Sequence, residues 1–187
     1  MDSQGKKAPK TTDVKLLPAL MVSLSLSVGL AGCRGLPPLA PVGVSGAPTL
    51  NVAIAFHYDS LDEREVSSDA LRGRPTVIAF VTTWDLMSQA QVDFLVAMAK
   101  NDVDRVNYAL VALQEVKDRE LVEVYRSKLG VTFRVALGDK ETIAGGGPFG
   151  DVHNVPTIVV LDRDGRVAWQ RVGLAKSEDL RAALRGL

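Results

Sequence analysis

The chain has 187 residues, 22 of them basic and 22 acidic, with one cysteine and two histidines. That is room for one ordinary domain plus an export signal and a linker. The balanced, scattered charge excludes the basic stripe of a nucleic-acid binder, a lone cysteine excludes an intrachain disulfide or a zinc site of several thiolates, and His57 and His153 are too few for a His-rich metal centre, so no metal or other cofactor is expected.

Lys6, Lys7, Lys10 and Lys15 come first, followed by an uncharged run from Leu16 to Gly32. A basic stretch and then a short apolar one is the order of a secretory signal. Crossing a bilayer takes ~20 apolar residues. This run is about the shortest that would serve, and Pro18 interrupts it near its start. It ends in Leu30-Ala31-Gly32-Cys33, which resembles the bacterial lipobox. The resemblance implies cleavage before Cys33, a diacylglyceryl group on its sulfur and acylation of the new amine. The competing reading is an uncleaved anchor with an incidental cysteine. Lipidation is favoured, and the partner it implies is a lipid bilayer, since each buried CH₂ contributes ~0.8 kcal/mol and two or three acyl chains hold firmly. Arg34, rather than an aspartate, follows the cysteine, which by the same resemblance implies the outer membrane if the cell has one. Four lysines and two aspartates precede Cys33, so the processed chain carries 18 basic and 20 acidic side chains, a net charge of −2.

Residues 34–50, RGLPPLAPVGVSGAPTL, hold four prolines and three glycines and read as a linker. The folded domain is expected over residues 51–187. Asn51–His57 suits a first strand, and Ser67–Leu71 a capped helical turn. Thr76–Val81 is β-branched and apolar, as in a strand buried on both faces. Met87–Lys100 carries Val92, Leu95, Val96 and Ala99 at helical spacing. Tyr108–Leu113 reads as a second buried strand. Asp118–Leu129 reads as a helix with Leu121, Val122, Tyr125 and Leu129 on one face, stopped by Gly130. Thr157–Leu161 and Val167–Val172 are strands joined by the turn Asp162-Arg163-Asp164-Gly165. Ser177–Leu187 closes the chain as a helix, with Ser177 as N-cap and Leu180, Leu184 and Leu187 inward. A βαβ crossover makes the first two long strands parallel, and the terminal hairpin adds an antiparallel pair.

Residues 71–95, LRGRPTVIAFVTTWDLMSQAQVDFL, resemble membrane-anchored thioredoxin-like proteins of the TlpA type and, more distantly, the AhpC/TSA group. Gly73-Arg74-Pro75 stands where that family has its Gly-Lys/Arg-Pro before the central strand. Asn154-Val155-Pro156-Thr157 stands where it has a cis-proline facing the active-site cysteines. The resemblance spans roughly residues 54–187. It implies an α/β thioredoxin-like fold, a central mixed β-sheet with helices on both faces, and a former active-site groove at Trp84, Asp85, Ser88, Val155 and Pro156. The family's Trp-Cys-x-x-Cys is here Trp84-Asp85-Leu86-Met87-Ser88. Disulfide exchange needs a thiolate, which neither Asp85 nor Ser88 supplies, so the family's reductase and peroxidase activities are not carried over and no catalytic residue is assigned. Asp85 is expected to cap the following helix as a permanent anion at its N-terminus, with Ser88 an ordinary first-turn residue.

Gly145–Gly150 lacks the Gly-Lys-Ser/Thr of a phosphate loop and reads as a mobile loop. Asp162-x-Asp164-Gly165 lacks the closing glutamate of a calcium loop and reads as a hairpin turn. His153 lies three residues before Pro156 and is placed near Asp85. With Ser88 those two contain the types of a hydrolase triad, though a solvated histidine is the favoured reading. Trp169 and Phe149 read as packing residues, and Trp84 borders the groove. The function expected is a lipid-anchored binding module that holds a polypeptide in the groove. The alternatives are a thiol–disulfide protein relying on a partner's cysteines and a purely structural envelope lipoprotein. In a bacterium that processes lipoproteins, Cys33→Ser should abolish incorporation of labelled fatty acid and leave a slower-migrating precursor. Equal labelling of parent and variant would refute lipidation at Cys33.

Overall fold

The computed structural model describes residues 52–187. The export signal, Cys33, the 34–50 linker and Asn51 lie outside the described residues. The elements in chain order are β1 (His57–Ser60), β2 (Val66–Ser67), α1 (Ser68–Leu71), β3 (Thr76–Val81), α2 (Leu86–Ala99), β4 (Asn107–Ala112), α3 (Arg119–Lys128), β5 (Arg134–Leu137), α4 (Lys140–Ile143), β6 (Thr157–Leu161), β7 (Val167–Val172) and α5 (Ser177–Leu184).

Among the described residues the strands form one mixed sheet in the order β2-β1-β5-β4-β3-β6-β7. All six residues of β3 are buried, because both edges are paired and both faces are covered. It runs parallel to β4 and antiparallel to β6. Its side chains alternate between two cores, as strand geometry requires. Val77, Ala79 and Val81 join Val92, Leu95 and Met98 of α2, Val122 and Tyr125 of α3 and Leu180 of α5 on one face. Ile78 and Phe80 join Phe56, Tyr58, Leu71 of α1 and Phe149 on the other. Helices therefore lie on both faces, as the sequence leads one to expect. No helix among the described residues is long and apolar enough to cross a membrane.

Several expectations are corrected. The first strand is His57–Ser60, not Asn51–His57. Ile54 and Phe56 make single backbone bonds, to Gly165 and Ser68 respectively, and no ladder. Pairing with β5 begins only at Asp59. Leu121 is 49 % exposed, because α3 turns Val122 and Tyr125 to the sheet. Gly130 does end that helix, with φ +64°. Ser177 is the first residue of α5 and Lys176 its N-cap. Asp179 supplies the acceptor there, its Oδ2 receiving the Lys176 N–H at 3.3 Å. Helix α5 stops at Leu184, with Leu180 buried and Leu184 and Leu187 packed partly buried against the core. Phe149 pins the Gly145–Gly150 segment, with its ring centroid 5.1 Å from Phe56 and 5.3 Å from Phe80.

A buried amide ties α2 to the chain entering α5. The Gln91 Nε2 donates to the Ala175 carbonyl at 3.2 Å, and the Ala175 N–H donates to Gln91 Oε1 at 2.7 Å. Gln91 is fully buried, and no other acceptor or donor is described at these two backbone groups. Leaving a buried group unpaired costs about 1–3 kcal/mol. Gln91→Leu keeps most of the volume and removes both bonds. Urea denaturation followed by circular dichroism should therefore show a destabilisation of at least about 1–3 kcal/mol; an unchanged midpoint would mean the clamp contributes nothing.

Candidate functional site

Strand β3 ends at Val81 and α2 begins at Leu86, so four residues turn the chain from sheet to helix. Each anchor of this turn is a polar side chain. The Thr82 N–H donates to Ser88 Oγ at 3.4 Å, and the Thr83 N–H donates to Gln114 Oε1 at 3.1 Å. Asp85 has extended backbone (φ −92°, ψ 124°) and is the N-cap of α2. Its Oδ2 accepts the Ser88 N–H at 2.6 Å, which satisfies one of the helix's open donors and sets a negative charge at the positive end of the macrodipole. Ser88 is fully buried. Leucine 86 and Trp84 point outward instead, at 75 % and 70 % exposed.

Beside this turn lies a groove of about 440 Å³. Thr82, Trp84 and Asp85 form one side, and Leu113, Ile143, His153 and Val155 complete it. The Val155–Pro156 bond is cis. Of the residues expected at the groove, Trp84, Asp85 and Val155 line it, while Ser88 and Pro156 are buried behind it. The Pro156 carbonyl accepts the Gly173 N–H at 2.7 Å, which fixes the cis segment to the end of β7.

The hydrolase set Ser88–His153–Asp85 does not assemble. The Ser88 hydroxyl is enclosed and receives the Thr82 N–H, and the Asp85 carboxylate is engaged at the helix cap. His153 takes a different carboxylate: Asp151 Oδ1 lies 2.9 Å from His153 Nδ1 and also accepts the His153 N–H at 3.0 Å. These two bonds, the backbone one foremost, hold the Asp151 carboxyl below its usual range. Gly145 makes room for this ring. It sits at φ +82°, and a Cβ there would fall 2.5 Å from the imidazole, so only glycine fits. Gln114 and Asp151 escaped the sequence reading. The Asp151-x-His153 spacing carried a signal for its pair, whereas Gln114 meets the turn only once β4 is aligned beside β3. No group of three or more His, Cys, Asp or Glu side chains poised for a metal occurs among the described residues.

No family model matches the chain, and no curated protein matches it. Solved structures do. A DsbF homologue from Corynebacterium diphtheriae superposes with a TM-score of 0.62 at 20 % identity, covering 73 % of this chain and 87 % of that one. StoA from Bacillus subtilis gives 0.58 at 18 % identity, covering 71 % and 96 %. A thiol:disulfide interchange protein of the thioredoxin family from Chlorobium tepidum gives 0.57 at 23 % identity, covering 71 % and 92 %. At these identities the likeness shows the fold: the domain is thioredoxin-like.

Asp85→Ala removes the cap and should cost about 1 kcal/mol, whereas Asp85→Asn should cost only a few tenths, roughly the spread among good N-cap residues. Urea midpoints of the two variants measure this. Equal, unshifted midpoints would show that the carboxylate does not hold the helix start.

Proposed function

We propose that this chain is an exported, lipid-anchored thioredoxin-like protein that performs no thiol chemistry and holds an extended polypeptide in the groove beside Trp84, Asp85 and Val155. The observation that carries the reading is the Asp85–Ser88 turn. The two side chains that stand at the family's cysteine positions are spent on holding a strand and a helix together, so the site keeps its architecture without a nucleophile. Cys33 is the chain's one thiol, and lipidation there would consume it. The solved structures of similar fold include a protein described as secreted and one described as a thiol:disulfide interchange protein, which supports export and an ancestry in disulfide chemistry.

The groove suits a polypeptide on two counts. Trp84 presents apolar surface at the groove, and Leu86 and Met87, which follow it in the chain, are exposed too; burying side chains of a guest there contributes about 25 cal/mol per Å². Val155 makes no backbone hydrogen bond to another described residue, so its N–H and C=O are open to a guest strand, the main-chain mode of strand addition. Ser88 and Pro156 act from behind, as supports.

Two measurements on the full chain carrying Cys33→Ser, in neutral detergent, test this. Insulin reduction should not exceed the blank, and turnover surviving repurification would overturn the absence of thiol chemistry. In a Trp169→Phe background, a permanently unfolded polypeptide such as reduced, carboxymethylated lactalbumin should shift Trp84 emission to shorter wavelength and shield it from acrylamide. Emission indifferent to saturating polypeptide would end the groove reading.

A further inference from the structure

Another concavity lies away from the groove, at the opposite end of β3, where Gly73, Arg74 and Pro75 lead into the strand. Its volume is about 650 Å³. Five arginines line it: Arg74, Arg105, Arg163, Arg181 and Arg185. They come from four separate parts of the chain, the loop before β3, the loop before β4, the β6–β7 turn and the C-terminal end of α5 with the residue after it. All five are exposed. Two side-chain carboxylates stand among them, Asp102 and Asp104, and Leu187, the last residue of the sequence, brings its backbone oxygen to the same place.

Those carboxylates are already engaged. Asp102 Oδ1 pairs with Arg105 at 3.0 Å, and its Oδ2 accepts the Tyr108 hydroxyl at 2.7 Å. Asp104 pairs with Arg74 at 3.5 Å. Arg163 donates to the Leu187 backbone oxygen at 3.0 Å. The side chains of Arg181, in the last turn of α5, and Arg185, just past its end, have no hydrogen-bond or ion-pair partner among the described residues. The floor between the arginines includes Pro75, Val106 and Leu184, apolar groups that lower the local dielectric and strengthen attraction to an anion.

We propose that this pocket binds a phosphate-bearing ligand. Guanidinium presents a planar fork of donors that matches two oxygens at once, and a phosphate offers enough oxygens to engage two such forks together. The five guanidinium groups outnumber the carboxylates among them, and a bound anion relieves their mutual repulsion. The volume far exceeds a single phosphate ion, so the ligand carries either a second phosphate or a further group resting on the apolar floor. The shared chemistry belongs both to free phosphate esters and to phospholipid headgroups. The site is separate from the groove and does not depend on what the groove holds.

Isothermal titration calorimetry on the full chain carrying Cys33→Ser, in neutral detergent, tests this with three probes: inorganic phosphate, pyrophosphate and glycerophosphoglycerol, a headgroup without acyl chains. At least one should give a saturable isotherm. The double variant Arg181→Ala with Arg185→Ala alters two exposed, unpartnered side chains and should keep its circular dichroism spectrum. Its affinity should fall at least about tenfold, the scale of one lost charge-assisted contact. Salt of roughly 1 M, where the Debye length is about 3 Å, should weaken the parent similarly. Tighter binding of pyrophosphate or phosphate identifies a free phosphate ester as the ligand, and tighter binding of glycerophosphoglycerol identifies a lipid headgroup. No saturable heat with any probe, or equal affinity in parent and double variant, overturns the proposal.

Discussion

The Asp85 carboxylate and the Ser88 hydroxyl together determine how β3 hands over to α2. One caps the helix from the front, and the other receives the Thr82 amide, the first beyond the strand, from within. The side of the groove formed by Thr82, Trp84 and Asp85 is positioned by that junction. It throws Trp84 and Leu86 outward, keeps Ser88 inside, and sets the mouth of the turn opposite the cis Val155–Pro156 bond. Behind it, Gln91 clamps α2 to the segment before α5, so the helix that begins at the groove is held at its middle as well as at its start.

Much of this frame was legible in the sequence, for identifiable reasons. Thr76–Val81 and the pair Thr157–Leu161 and Val167–Val172 came out with the bounds the residues suggest, because continuous β-branched runs and an Asp-x-Asp-Gly turn leave few alternatives. Asp85 declared itself as a cap by standing just before a helical stripe. Short elements hid. Strand β5 has four residues and α4 has four, too few for a period to register. Their existence follows from partners, β4 beside β5 and the Tyr58 hydroxyl within 3.1 Å of the Thr142 hydroxyl, which sit far away in sequence. The first strand was displaced because Phe56 and Tyr58 are both buried, and only pairing with β5 tells which residues extend the sheet.

The candidate site shows the same division. Trp84, Asp85 and Val155 were named from the family resemblance, and the three line one groove. His153, read chiefly as a solvated histidine, is exposed at the groove and meets Asp151 rather than Asp85. The arginine pocket was invisible. Its five arginines are scattered over more than a hundred positions, from Arg74 to Arg185, and no stretch of the chain between them is markedly basic. Only the close approach of β3's entry, the loop before β4 and the end of α5 gathers them.

The junction has a consequence for constancy. A dithiol at the start of α2 would exist in two covalent forms, in proportions set by the reduction potential of the surroundings; for such a couple about 30 mV changes the ratio tenfold. A carboxylate and a hydroxyl have no oxidised partner state. The turn therefore has one covalent form at every ambient potential, and the mouth of the groove presents the same shape whether its compartment is oxidising or reducing.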